Sequence, residues 1–272
     1  MRDEGQANGP VKADHYYKSH RQLQKLKSLL PADAVEDLAG EVIRRLSERH
    51  AAHPADLPSS DQIDHLCFAL LAEDHEAGAT FIADARTAGA SIDAIYLQYL
   101  SPAARKLGDW WEDSLVSFTD VTLATSRMYA IMNALRHEMP RRTSSVPKSA
   151  IFASVPGDDH TLGVRMAADL FRKEGWDIIL KTDEDHDSLV SYIAETDVPI
   201  VGFSAGGRHS LQALSRLVVA VRIKKPRNLL LVGGHIVEEA PSAIRLLGVD
   251  GVLADIETAR VLMDDLVHQL NS

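Results

Sequence analysis

The spacing of the apolar residues changes near residue 145, and this change constrains the fold more than any other feature of the chain. From about 31 to 139, apolar residues recur at helical spacing without strand-like alternation. After 145, short apolar runs alternate five times with amphipathic helical segments. Such alternation produces a parallel sheet with helices on both faces. The sequence therefore predicts an α/β protein: an all-α helical bundle followed by a Rossmann-like (flavodoxin-like) domain with a five-stranded parallel sheet.

Composition divides the chain into four predicted segments. Residues 1–30 are a flexible extension, and its second half, 15–30, is basic because it contains Lys and Arg but no carboxylate. Residues 31–140 form the helical bundle. Residues 141–148 form a linker that contains Pro and Ser, and 149–272 form the Rossmann-like domain.

Charge and cysteine content exclude several classes of protein. The formal net charge is −10, so the whole molecule is not expected to bind nucleic acid or anionic membranes through its overall charge. Cys67 is the only cysteine, which excludes an internal disulfide and fits a reducing cytoplasm; a buried, inert thiol is expected. The sequence contains no recognisable signal peptide and no apolar run long enough to span a bilayer. We therefore expect a cytoplasmic protein with no membrane partner.

The turn after the first predicted strand carries residues that a simple turn does not need. Asp158, Asp159 and His160 follow Pro156-Gly157 directly, and Gly163 begins the next helical pattern. Ligands of a doubly wound sheet bind at the carboxyl ends of its strands, where this turn lies. The turn is therefore the first candidate for a functional site.

Three kinds of site share features with this turn. A dinucleotide site needs a Gly-x-Gly-x-x-Gly loop, which is missing, and two carboxylates would repel a phosphate. A phosphorylated receiver domain shares the acidic pair but also requires an Asp after the third strand and a Lys after the fifth, where this chain reads GFSAGG and VLADIE. A metal-bound cofactor fits better, because neutral imidazole is a good ligand for cobalt or iron and Asp158 can fix the tautomer of His160.

The motif Asp158-x-His160-x-x-Gly163 resembles the Asp-x-His-x-x-Gly signature of cobalamin-binding domains. The resemblance implies that His160 is the lower axial cobalt ligand and that Asp158 orients it. It also implies that Gly163 leaves space for the cofactor or its nucleotide tail.

Two later loops extend the resemblance. Ser204 ends the third predicted strand, where the family has a Ser that faces the nucleotide tail, and Gly233-Gly234 ends the fourth, where the family has a Gly pair that lines the slot for the tail. All three are therefore predicted to bind the cofactor. The family's Ser-x-Leu reads Ser204-Ala205-Gly206 here, so the contact at this loop differs from the family pattern.

The helical half also resembles a known cap over the upper face of the corrin ring. Cobalamin photoreceptors carry Trp-x9-Glu-His in this cap, and counting from Trp110 places Asp120-Val121 at the Glu-His positions. The resemblance implies that Trp110 or Trp111 lies near the cofactor. Because the upper histidine is lost, hydroxo- or aquocobalamin is expected in preference to adenosylcobalamin.

Over its length the chain is most similar to the AerR/PpaA-type antirepressors of photosynthesis gene expression in purple bacteria. This resemblance implies a non-enzymatic regulator that responds to light or redox state and acts on a DNA-binding repressor. Weak direct DNA contact through 15–30 is a further possibility. The alternatives are a corrinoid methyl carrier of a methyltransferase system and a heme-binding sensor of the same fold. His209 and His235 fall at the same sheet edge, where approach to the cofactor is the alternative, but they are interpreted as solvated.

Overall fold

A computed structural model describes residues 54–139 and 147–270. The first of these ranges is helical, in the order α1 (Ser60–Leu71), α2 (Ala77–Thr87), α3 (Ile92–Ala94), α4 (Ser101–Glu112) and α5 (Phe118–Arg136). The strands of the second range are β1 (Ser149–Ser154), β2 (Asp177–Lys181), β3 (Ile200–Ser204), β4 (Leu229–Gly233) and β5 (Gly251–Leu253). Its helices are α6 (Leu162–Lys173), α7 (His186–Glu195), α8 (Leu211–Lys224), α9 (Ile236–Glu239), α10 (Pro241–Leu246) and α11 (Ile256–Leu270).

Two capping boxes fix the starts of long helices in the helical region. Ser59 caps α1 and exchanges hydrogen bonds with Gln62, and Ser117 caps α5 in the same way with Asp120. Each box satisfies two backbone N–H groups that a helix start otherwise leaves unpaired. Asp120 therefore serves as a helix cap.

A π-helical segment, Ile95–Leu100, joins α3 to α4. It buries Tyr96 and Tyr99 in the core of the helical region. The Tyr96 hydroxyl lies 3.1 Å from Oδ2 of Asp169, a fully buried residue of α6. Burial and the nearby Asp169 raise the pKa of Tyr96 far above its usual value, so the phenol stays neutral and donates this hydrogen bond.

The α/β region contains the predicted parallel sheet, with strand order β2-β1-β3-β4-β5. Buried apolar clusters cover its two faces. This arrangement confirms the fold class. The register pairs Ser154 with Ser204 and Ser204 with Gly233, which brings the carboxyl ends of β1, β3 and β4 to one edge.

The helical region packs against the α/β region through α5 and α6. Arg136 of α5 forms a two-point ion pair with Asp169, with Nε–Oδ1 and Nη2–Oδ2 distances of 3.0 Å each. Tyr96 and Arg172 complete the set of groups that face this buried carboxylate. The polar network therefore ties the two regions together.

Several predictions fall outside the described residues. These are the extension 1–30, the helical pattern that begins at Pro31, and residues 141–146 of the linker. The domain boundaries remain predictions. Among the residues that the structure describes, no helix combines the length and the apolar character that a bilayer crossing requires.

Candidate functional site

The loop between β1 and α6 turns sharply before it presents its polar residues. Gly157 adopts a φ of +81°, which glycine accommodates without strain. The N–H of Asp158 donates to the carbonyl of Val155 at 3.0 Å, and the N–H of Thr161 donates to the carbonyl of Asp159 at 2.9 Å. These bonds direct Asp158 inward and leave Asp159 and His160 exposed.

The Asp158 side chain is buried, and each of its oxygens has two donors. Oδ1 accepts from the backbone N–H and from Nδ1 of His160, at 3.0 Å and 2.9 Å. Oδ2 accepts from the N–H of Gly206 and from the hydroxyl of Ser210, the latter at 2.7 Å. Burial alone would raise the pKa of Asp158, but these hydrogen bonds outweigh it and lower the pKa well below its usual value. The carboxylate is therefore ionised.

One ring nitrogen of His160 is engaged by Asp158, and the other is the one that could hold a ligand. Because Asp158 is ionised, Nδ1–H is the donor, and Nε2 is the nitrogen left to bind a metal. The hydrogen bond to Asp158 raises the pKa of His160, while partial burial acts in the opposite direction. Its side chain is 67% exposed, so a bulky group can approach the ring.

Gly206 and Ser210 belong to the candidate site, although the sequence did not predict a role for either. Both hold Oδ2 of Asp158, and a β-carbon at position 206 would lie 2.6 Å from Cγ and Nδ1 of His160. Only glycine fits there without displacing the imidazole. The change from the family's Leu to Gly206 was visible in the sequence and was the available signal; nothing local in the sequence indicated Ser210.

The remaining predicted residues of the α/β region lie along the same sheet edge. Ser204 ends β3 next to Gly233, which ends β4. Gly234 has a φ of +93°, and a β-carbon there would lie 2.4 Å from the carbonyl oxygen of Ala205, so close packing of the two loops requires glycine. A β-carbon at Gly163 would meet no atom within 4 Å, which leaves the space beside the first turn of α6 open.

Trp110 and Trp111 belong to the helical region, and each packs against another aromatic ring at a tilted angle. Trp110 lies 5.4 Å from Phe68 between ring centroids, and Trp111 lies 6.3 Å from Phe118. Trp111, Phe68 and Phe118 are exposed. These aromatic contacts within the helical region position the two Trp side chains. Their contact with a cofactor remains a prediction.

A second histidine adjoins the pair. Nε2 of His209 lies 4.0 Å from Oδ1 of Asp158, and its ring centroid lies 5.6 Å from that of His160. The side chain of His209 is exposed, as expected, but its position beside Asp158 was not predicted. His235 instead lies 3.3 Å from both Glu238 and Glu239.

The residues at this edge fit a corrinoid ligand. An ionised, buried Asp158 fixes the tautomer of His160, the ring face rests against Gly206, and the space beside Gly163 is open. This combination supplies one oriented imidazole for a metal and room for a large group around it.

Comparisons with known proteins agree with this site. A family model described as "B12 binding domain" matches residues 148–262, and a second model with the same description matches residues 62–136. The chain is also similar to the "Uncharacterized 20.5 kDa protein in bchF-crtJ intergenic region" of Rhodobacter capsulatus. The two are 25% identical over 174 aligned residues, which make up 63% of this chain and 91% of that protein.

A solved structure shows the same fold. The monomethylamine corrinoid protein of Methanosarcina barkeri aligns with a TM-score of 0.64 at 20% identity, over 76% of this chain and 99% of that chain. Helical and α/β regions thus follow one another as in that protein. With both regions matched by B12-binding models, this chain belongs to the cobalamin-binding proteins that combine a helical B12-binding domain with a Rossmann-like one.

Proposed function

We propose that this protein is a light- or redox-responsive regulator that acts as an antirepressor on a DNA-binding repressor of photosynthesis genes. The observation that carries the proposal is the ionised Asp158 that orients His160 at the sheet edge of a B12-binding domain. Support for the regulatory role comes from the Rhodobacter capsulatus relative, which is named for its position between bchF and crtJ. The site of action is the cytoplasm.

In this proposal His160 would hold the metal of the cofactor through Nε2. Asp158 holds the ring in the tautomer with the proton on Nδ1, and the N–H of Gly206 and the hydroxyl of Ser210 hold Asp158. Such partners of a ligating histidine raise its basicity and fix its orientation. Ser204, Gly163 and the Gly233-Gly234 pair line the slot for the nucleotide tail.

The proposed cofactor is cobalamin in its hydroxo or aquo form, since Val121 replaces the upper histidine of the photoreceptor caps. When bound, it would supply a cobalt ion whose coordination responds to light, oxygen or redox state. Heme is the alternative, because imidazole is a ligand for iron as well as cobalt.

A path from the ligand to the helical region begins next to His160. The buried Thr161 shares a 2.8 Å hydrogen bond with the hydroxyl of Tyr129 on α5. The guanidinium of Arg165 lies over the Tyr129 ring, 5.4 Å from its centroid. In the proposed switch, a shift of the His160 loop would change these contacts of α5 and so carry the signal to the helical region.

The cofactor assignment is tested with visible spectra of the full-length protein loaded with hydroxocobalamin and, separately, with hemin. We expect His160→Ala to weaken binding or shift the spectrum, whereas His235→Ala, the matched control at the same edge, leaves both unchanged. Identical spectra and affinities for wild type and His160→Ala would place the ligand elsewhere.

The regulatory part is tested by fluorescence anisotropy of a photosynthesis-gene repressor on its labelled operator DNA. Cobalamin-loaded protein is expected to release the repressor to different extents in darkness and in light, or under oxidising and reducing conditions. No release in any state would refute the antirepressor proposal.

Direct DNA contact is tested by replacing Lys18, Arg21, Lys25 and Lys27 with Gln. Such contact would appear as a salt-sensitive rise in the anisotropy of the DNA without repressor, and the substitutions should remove it.

A corrinoid methyl carrier is the second candidate, favoured by the fold shared with the Methanosarcina barkeri corrinoid protein. Loading with methylcobalamin and incubating in darkness with a thiol acceptor and a corrinoid methyltransferase separates the two. Rapid methyl loss that depends on the methyltransferase supports the carrier; light-dependent action on the repressor supports the regulator.

A further inference from the structure

Three potential metal ligands from two loops converge at the sheet edge. Asp158 and His160 come from the loop after β1, and His209 comes from the 3₁₀ turn Arg208–Ser210 that precedes α8. One donor atom from each lies within 4.8 Å of the other two. The cobalamin signature contains the first two residues but not His209.

The distances are close to those that a small metal ion imposes. A tetrahedral zinc ion with bonds of about 2.0–2.1 Å separates its ligand atoms by about 3.3 Å. Oδ1 of Asp158 lies 2.9 Å from Nδ1 of His160 and 4.0 Å from Nε2 of His209. Both imidazoles are more than half exposed, so small rotations equalise the two distances.

The environment of the carboxylate also suits a metal ligand. Gly206 and Ser210 occupy Oδ2 of Asp158, whereas Oδ1 faces the two imidazoles. Oδ1 also accepts the backbone N–H of His160 at 3.0 Å, which leaves its second lone pair for a metal in place of the imidazole. The carboxylate is thus held by hydrogen bonds while one oxygen can still bind a metal, as is usual for ligating carboxylates.

We propose that the cofactor-free protein binds one divalent transition-metal ion of the zinc class through Oδ1 of Asp158, Nδ1 of His160 and Nε2 of His209, with water as the fourth ligand. Two imidazoles and a carboxylate form a ligand set suited to zinc. Binding requires Nδ1 of His160 to give up its proton, so a neutral ring moves to the Nε2–H tautomer and a charged ring releases one proton to water.

This site and the corrinoid site exclude one another. A corrinoid uses Nε2 of His160 and needs Nδ1–H to donate to Asp158, whereas the divalent ion uses Nδ1 and displaces that hydrogen bond. Corrinoid binding should therefore release the divalent ion. This consequence rests on the proposed cofactor site, but zinc binding itself does not.

Zinc binding is measured by calorimetric titration of ZnCl₂ into untagged, cofactor-free, full-length protein. We expect one site that His209→Ala and His160→Ala each weaken about tenfold or more, while His235→Ala, an exposed histidine of the same edge, leaves it intact. No zinc binding, or binding that His209→Ala does not weaken, overturns the proposal.

Competition separates this proposal from the cofactor assignment. Hydroxocobalamin is added to the zinc-loaded protein, and free zinc is followed with a chromogenic chelator while the corrinoid spectrum reports binding. Release of one zinc per corrinoid bound supports the shared site, and simultaneous binding of both overturns it. If no corrinoid binds even to protein stripped of zinc with a chelator, the cofactor assignment fails, and the effect of His209→Ala on zinc affinity still decides the zinc site.

Discussion

Gly206 lies so close to the ring of His160 that a β-carbon at position 206 would stand 2.6 Å from Cγ and Nδ1 of the imidazole. It would also stand 2.8 Å from Oδ1 of Asp158. Gly206→Ala is therefore expected to push the exposed imidazole away from Asp158. Corrinoid affinity should fall by about 10–100-fold, the range for losing a partner of a metal-ligating residue, while the fold is retained. Spectroscopic titration with hydroxocobalamin measures the change.

The matched control for this substitution is Gly108→Ala. Gly108 lies within α4, and a β-carbon there would meet no atom within 4 Å. Alanine favours a helix interior by about 1 kcal/mol over glycine, so this variant should be slightly more stable and bind the corrinoid normally. Equal corrinoid affinities for the two variants would show that the packing of Gly206 against His160 is unimportant.

Asp158 and its neighbour Asp159 should respond very differently to loss of charge. Each oxygen of Asp158 accepts from two donors, so the NH₂ group of Asp158→Asn would face donors in place of an acceptor. The tautomer of His160 would then no longer be fixed. We expect corrinoid affinity to fall by about 10–100-fold. Asp159→Asn, at the exposed free position of the motif, should bind like wild type in the same titration. A similar loss in both variants would indicate a general effect of negative charge near the site.

The ion pair between Arg136 and Asp169 should stabilise the folded protein. Arg136→Met leaves the buried Asp169 carboxylate with Tyr96 and Arg172 as its remaining partners. Because weakening the hydrogen bonding of a buried charged group is costly, unfolding free energy should fall by about 1–3 kcal/mol in urea titrations. Arg105→Met, which removes only an exposed bond to Ser101, is the control. Indistinguishable midpoints for the two variants would contradict this role.

The sequence predicted the pair Asp158–His160 because both residues lie in one loop, two positions apart. Gly206 and Ser210 come about fifty positions later, and only the register that sets Ser154 beside Ser204 brings their loop to Asp158. No local pattern encodes such a register. The strand–helix alternation was therefore enough for the fold class, and the local motif was enough for the Asp158–His160 pair, but neither indicated the groups that hold Asp158 in place.

The periodic pattern of apolar residues also failed to predict some side-chain burial and one backbone feature of the helical region. Leu123 and Met128 both occur in the apolar pattern of α5, yet Leu123 is 44% exposed and Met128 is fully buried. Five residues turn a helix by about 140° beyond a full turn, so the two side chains face different directions. The π-helical segment Ile95–Leu100 was not predicted either, because its apolar residues fit a continuous α-helix equally well.

Cys67 should be inert to thiol reagents in the folded protein. Its side chain is fully buried in α1 and lies 3.6 Å from the carbonyl oxygen of Ala103. Burial, with a smaller contribution from the negative charge of Asp64, raises the pKa of Cys67 to about 11. At pH 8 the reactive thiolate is then about one part in a thousand of the thiol, compared with roughly a quarter for a free cysteine with a pKa of about 8.5. A chromogenic disulfide reagent should label no thiol in native protein at pH 8 and one thiol per chain in denaturant. Rapid labelling of the native protein would mean that α1 opens readily or that Cys67 is accessible.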